Sequence, residues 1–85
     1  MRVRNFIGKN GAIKNQFVIE NDGVEIFQSY NSAIVKKDNG KIFLDASNWD
    51  YSKTTGKYRD MYLGETKRET ESKIKSGEYI LCNLN

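Results

Sequence analysis

The chain has no histidine and a single cysteine, Cys82. Ser-His-Asp and Cys-His nucleophile systems need an imidazole base, so neither can be assembled from these residues. Cys82 lies in the apolar run "YILCNL", where a thiol packs as a small hydrophobe and is not activated as a thiolate. Asp45, Asp50 and Asp60 supply carboxylates, but their spacing matches no acid–base pair or Mg²⁺ motif. "TTGK", Thr54–Lys57, is followed by Tyr58, whereas a phosphate loop requires an earlier glycine and then Gly-Lys-Ser/Thr between a strand and a helix. An NTPase is excluded on that ground. Without His, and with one Cys, zinc has no ligand set. The expectation is a protein that is not an enzyme and uses no cofactor or metal.

One stretch does combine residues suited to recognition: "NWDYSKTTGKYR", Asn48 to Arg59. It holds the only Trp, two of the five Tyr and three cations. Nucleic-acid binders mix cations for phosphates with aromatic faces for unpaired bases. Protein-binding hot spots are enriched in the same Trp, Tyr and Arg. Trp49 and Tyr51 alternate in the way a buried face requires, so they read as an anchor. Lys53, Lys57, Tyr58 and Arg59 read as a presented tip, because "SKTTGK" is polar and turn-forming and belongs in water. A second basic group, Arg2, Arg4, Lys9 and Lys14, lies in residues 1–16, which hold no acid.

The elements around these residues follow from pattern. "QFVIE" and "VEIFQSY" flank Asp22-Gly23, and "SAIVKK" and "KIFLDA" flank Asn39-Gly40. Asp-Gly and Asn-Gly supply the positive φ angles of tight hairpins. A four-strand antiparallel meander is expected across residues 16–46. "RVRNFI" adds an N-terminal strand with "GKNG" as its turn, and "YILCNL" closes the chain as a strand. Apolar residues on both faces of these strands require that each face be covered. Thr66 stands three residues before Glu69, the spacing of a capping box. Gly77 follows an unbroken run and suits the left-handed position past a helix end. The predicted fold is therefore a single α+β domain over residues 1–85. It has a small antiparallel meander of four to six strands and one short helix at about residues 66–76, before the last strand.

Eighty-five residues with a net charge of +3 make one small, mildly basic domain, a balance that favours anionic partners. No apolar run approaches a transmembrane length. Met1 leads into "RVRNFIGKNG" without the apolar core of a signal peptide. One unpaired cysteine fits a reducing compartment. The expected location is the bacterial cytoplasm.

"FQSYNSAIVKKDNGKIFLD", "WDYSKTTGKYRDMYLGET" and "KIKSGEYILCNLN" together resemble a family of small proteins of phages and prophages of low-GC Gram-positive bacteria, a domain of unknown function. The resemblance covers about residues 15–85 and leaves 1–14, a possible strand or basic arm, outside. It implies a setting: small non-enzymatic phage proteins commonly bind and block a host machine, and many anti-CRISPR proteins have this size and lack catalytic residues. The reading is thus a phage-encoded binding protein that inhibits a host defence complex, most directly a CRISPR effector protein or ribonucleoprotein, by steric occlusion. The alternative is a nucleic-acid-binding accessory protein of phage replication or gene control, in contact with RNA or DNA. A sponge for a small anionic nucleotide is a more distant third.

Overall fold

The structure is a computed structural model that describes all 85 residues. Six strands run β1 Arg2–Gly8, β2 Gly11–Asn21, β3 Val24–Ser29, β4 Ser32–Asp38, β5 Lys41–Asp45 and β6 Tyr79–Cys82. Two helices, α1 Lys53–Leu63 and α2 Lys67–Ser76, lie between β5 and β6. The strands form one sheet in the order β1-β2-β3-β4-β5-β6.

The hairpin signals act as their chemistry dictates. Asp22 and Gly23 adopt φ 51° and 81°, and Asn39 and Gly40 adopt φ 52° and 81°, the paired left-handed geometry of a type I′ turn. β1 to β5 pair antiparallel through these and the other short connections. β6 then pairs parallel to β5, with Ile42 beside Tyr79 and Leu44 beside Leu81. The expected small antiparallel meander with one helix is therefore corrected to a mixed six-stranded sheet with two helices. The physical reason is the crossover: two helices carry the chain back along the sheet, so the last strand enters in the direction of β5.

Both helices cover the same face of the sheet. Phe27, Ile34, Val35, Leu44 and Tyr79 form its buried core, with Phe6, Ile42, Trp49, Tyr58, Tyr62, Leu63 and Ile74 packed around it. Tyr62 of α1 stacks on Phe27 at 5.0 Å and 14°, and Phe6 meets both rings edge-on.

α2 is the helix that the capping box announces. Thr66 is its N-cap, the Glu69 side chain returns the bond to the Thr66 backbone, and Gly77 ends it at φ 84°. α1 replaces the polar loop expected at residues 53–59. Ser52 caps it through Thr55 N–H at 3.1 Å, and Gly64 at φ 71° terminates it. Its inward residues include Thr55 and Arg59, so the helix seats on a partly polar layer, where Thr55 and Ser29 share a buried hydrogen bond of 3.0 Å.

Glu65, between the helices, ties them to β6. Its carboxylate accepts from Lys73 at 2.7 Å, Thr70 at 2.6 Å and Tyr79 at 2.8 Å. Burial alone would raise this carboxyl, but those three donors outweigh it and hold it below its ordinary range. No helix is long and apolar enough to cross a membrane.

Candidate binding cleft

Arg59 is not at a tip. It is 1% exposed and points back under the first residues of the segment. Nη1 donates to the Trp49 carbonyl and to Asp50 Oδ1 at 3.2 Å, and Nη2 donates to Asp60 Oδ1 at 2.8 Å. Its guanidinium lies 5.1 Å from the centre of the Trp49 ring. A cation flanked by two carboxylates and an aromatic face is stable inside, because each term offsets part of the desolvation cost. Asp50 also receives Lys67 of α2 at 2.7 Å. Burial works against this carboxylate, but the bonds from Lys67 and Arg59 win and lower its pKa. The Trp49–Arg59–Asp50–Lys67 chain is a brace between the two helices.

The reading of Lys53 to Arg59 as a tip in water is thus corrected. The segment is helical, and Thr55, Gly56 and Arg59 are buried. Trp49 packs against the core cluster, while its anchor partner Tyr51 is 49% exposed. Lys53 and Lys57 are exposed and Tyr58 is half-buried.

Lys57 and Tyr58 acquire neighbours that are remote in sequence. The β1–β2 hairpin folds its tip over α1, and a cleft of about 510 Å³ opens between them. Lys9 and Lys14 line it from the hairpin, Lys57 and Tyr58 from the helix, and Ile13 and Met61 supply its apolar wall. No acid lines it. Lys9, Lys14 and Lys57 enter no salt bridge, and Lys57 Nζ lies 5.3 Å from the Tyr58 ring centre. Gly8 matters at the base: a Cβ there would lie 2.6 Å from Ile13 Cδ1, so any larger residue would push Ile13.

Arg2 and Arg4 lie elsewhere, toward the other end of β1, about 20 Å along a strand of this length. Arg4 is paired with Glu20. Arg2 lines a separate depression with Glu20, Asp22 and Glu25. A further depression of about 470 Å³ at the start of α1 gathers Lys53, Lys57, Arg59 and Lys67 with Asp50 and Asp60; Arg59 and Lys67 are paired with those carboxylates, so the site is not free of acid as the cleft is. No three Cys, Asp or Glu side chains converge to hold a metal ion.

The predicted residues therefore divide. Lys9, Lys14, Lys57 and Tyr58 come together; Lys53 and Tyr51 lie beside them at the second depression; Trp49 packs against the core and Arg59 is buried; Arg2 and Arg4 are remote. Ile13 and Met61 were not foreseen. The spacing Tyr58, Met61, Tyr62 (i, i+3, i+4) was the available signal for a helix that would present Met61 beside Lys57.

The model of a family of unknown function, DUF8033, matches residues 1–78. The match includes the basic hairpin at residues 1–14 and stops before β6. No curated protein and no solved structure matches the chain. Its sequence and the span of that match establish that the chain belongs to the DUF8033 family, whose function is unknown.

Proposed function

We propose that this chain is a non-enzymatic binding protein that inhibits a host defence complex, most directly a CRISPR effector, by docking on an acidic surface of it and occluding that surface. One observation carries the reading: two basic segments distant in sequence converge on a single acid-free cleft with an apolar wall. Unpaired lysines around Ile13, Tyr58 and Met61 combine a steering field with a patch that loses water on contact, the pattern of a protein interface. The resemblance of the chain's motifs to phage and prophage proteins supplies the setting. The second reading, a nucleic-acid-binding accessory protein, is favoured by Lys57 lying against the Tyr58 ring, a combination that also suits a phosphate and its base.

The test is capture of partners from host lysate with and without nuclease, using wild type and the combined Lys9→Ala, Lys14→Ala, Lys57→Ala variant. A protein partner that survives nuclease and is lost with the variant supports inhibition; restored effector cleavage in the presence of the variant completes it. Loss of every partner on nuclease treatment favours nucleic acid, and the binding constant should then fall with salt by a slope near 0.9 per phosphate neutralised on duplex DNA. Undiminished capture by the triple variant would remove the cleft from consideration.

A further inference from the structure

The face of the sheet opposite the helices carries a row that crosses all six strands. Register places Val3 beside Ile19, Ile19 beside Ile26, Ile26 beside Lys36, Lys36 beside Phe43 and Phe43 beside Ile80. Phe17 on β2 and Val24 on β3 extend it to either side. None of these residues belongs to the core beneath the helices. Val3 is 56% exposed and Ile80 40%. A sheet that faces water alternates apolar-in with polar-out; here both sides of β2, β3 and β5 are apolar, and no element of the chain covers the second.

The row holds one charge, Lys36, and that charge has partners of its own. Lys36 Nζ lies 5.3 Å from the Phe43 ring centre and 4.0 Å from Asp38 Oδ2, so the ring face and the rim carboxylate offset part of the cost of covering it. Asp38 and Lys41 occupy that rim. Phe17 and Phe43 could each stack on a base, but the row holds a single cation for phosphates, and Asp38 lies beside it, so the row suits an apolar protein face better than a nucleic acid.

We infer that this face is covered by a second copy of the chain, related by a two-fold axis parallel to the strands and passing between β3 and β4. That axis sets Val3 opposite Ile80, Ile19 opposite Phe43, and Ile26 opposite the stem of Lys36. The row is complementary to itself in this arrangement. The other in-plane axis, along the row, would set Lys36 directly on its own copy, a like-charge contact. The size also fits. Six strands at about 4.8 Å and three rows of side chains give a patch of about 29 by 20 Å, on the order of 600 Å² before side-chain relief. Standard interfaces take about 600–1,000 Å² from each partner, so the patch meets the lower limit of that range. An isologous pair built this way is a β-sandwich with the helices outermost, and the basic cleft, which α1 lines on the other side, stays open in both copies.

Sedimentation equilibrium of the wild type across the micromolar range should show a concentration-dependent species of twice the 9.8 kDa chain mass. Val3→Glu alone and Ile80→Lys alone should each weaken it by about tenfold or more, because each would bury an unpaired charge. Mixed together, the two variants should associate again, since the chosen axis joins Glu at position 3 of one copy to Lys at position 80 of the other while Val3 meets Ile80 on the second side. Circular dichroism melts confirm that both remain folded. Should one fail to fold, Val3→Thr, isosteric and β-branched, carries the same expectation with a smaller effect. A wild type that stays monomeric, a dimer untouched by both variants, or a mixture that does not re-associate would each overturn the arrangement.

Discussion

Arg59→Met separates a buried brace from a presented contact. The substitution keeps most of the side-chain length and removes the charge and all donors. Three acceptors lose their partner: the Trp49 carbonyl, Asp50 and Asp60. Breaking a fully buried ion pair costs about 3–5 kcal/mol. Here the side chains of Asp50 and Asp60 are 29% and 34% exposed, so both regain water and the lower figure is an upper bound. Asp50 also keeps Lys67. The expected loss is about 2–3 kcal/mol, obtained by discounting the buried-pair value for that solvation. At about 4–8 °C per kcal/mol for a domain of this size, Tm should fall by about 8–24 °C. Lys57→Met, at an exposed position, should stay within about 0.5 kcal/mol. Thermal and urea melts followed by circular dichroism measure both. A double-mutant cycle with Asp50→Asn should return a coupling of about 0.5–3 kcal/mol. If Arg59→Met melts no lower than Lys57→Met, the guanidinium faces solvent and the brace does not exist.

Glu65 should shape the acid limb of the stability curve. Its folded pKa lies below the ordinary 4.5, so its contribution is present above that value and lost as pH falls through the folded pKa; Glu65→Gln should flatten part of the acid limb, and a limb identical to wild type would contradict the network. Asp45 and Asp50 are also lowered and should keep the remainder of the slope. Thr66→Ala removes an N-cap whose reciprocal bonds are both formed and should cost about 0.5–2 kcal/mol in urea titration; no shift in the midpoint would place the helix start elsewhere. Gly40→Val forces a β-branched residue to φ 81°, with nothing within 4 Å of the added Cβ, so any loss in Tm reports backbone strain alone; an unchanged Tm would argue against the left-handed turn.

The hairpins and α2 were legible because their signals are local. Asp22-Gly23, Asn39-Gly40 and the Thr66–Glu69 pair each act within four residues. α1 was not, because its fully buried positions, Thr55, Gly56 and Arg59, are not apolar, and its apolar contacts, Tyr58, Tyr62 and Leu63, fall only in its second half. Arg59 looked like surface by type; only the return of Asp50 and Asp60 to its sides makes burial tolerable. The direction of β6 was equally hidden. An apolar run of four carries no mark of parallel or antiparallel pairing, which is decided by the length of helix crossing before it. The same limit applies to the cleft: Lys14 and Lys57 are neighbours only through the seating of α1 on the sheet.

The parallel closure by β6 has a consequence for the chain during synthesis. β1 to β5 can pair as soon as they leave the ribosome, since each finds its partner in the segment just made. The outer edge of β5 has to wait for Tyr79–Cys82, and for the tail that locks it, where Leu84 N–H bonds Asp45 at 2.8 Å and the Asn85 side chain bonds the Ala33 backbone. At about 5–20 residues per second, that wait lasts on the order of seconds. For that time the nascent sheet offers a row of free amides beside Leu44, an open template for any other strand nearby.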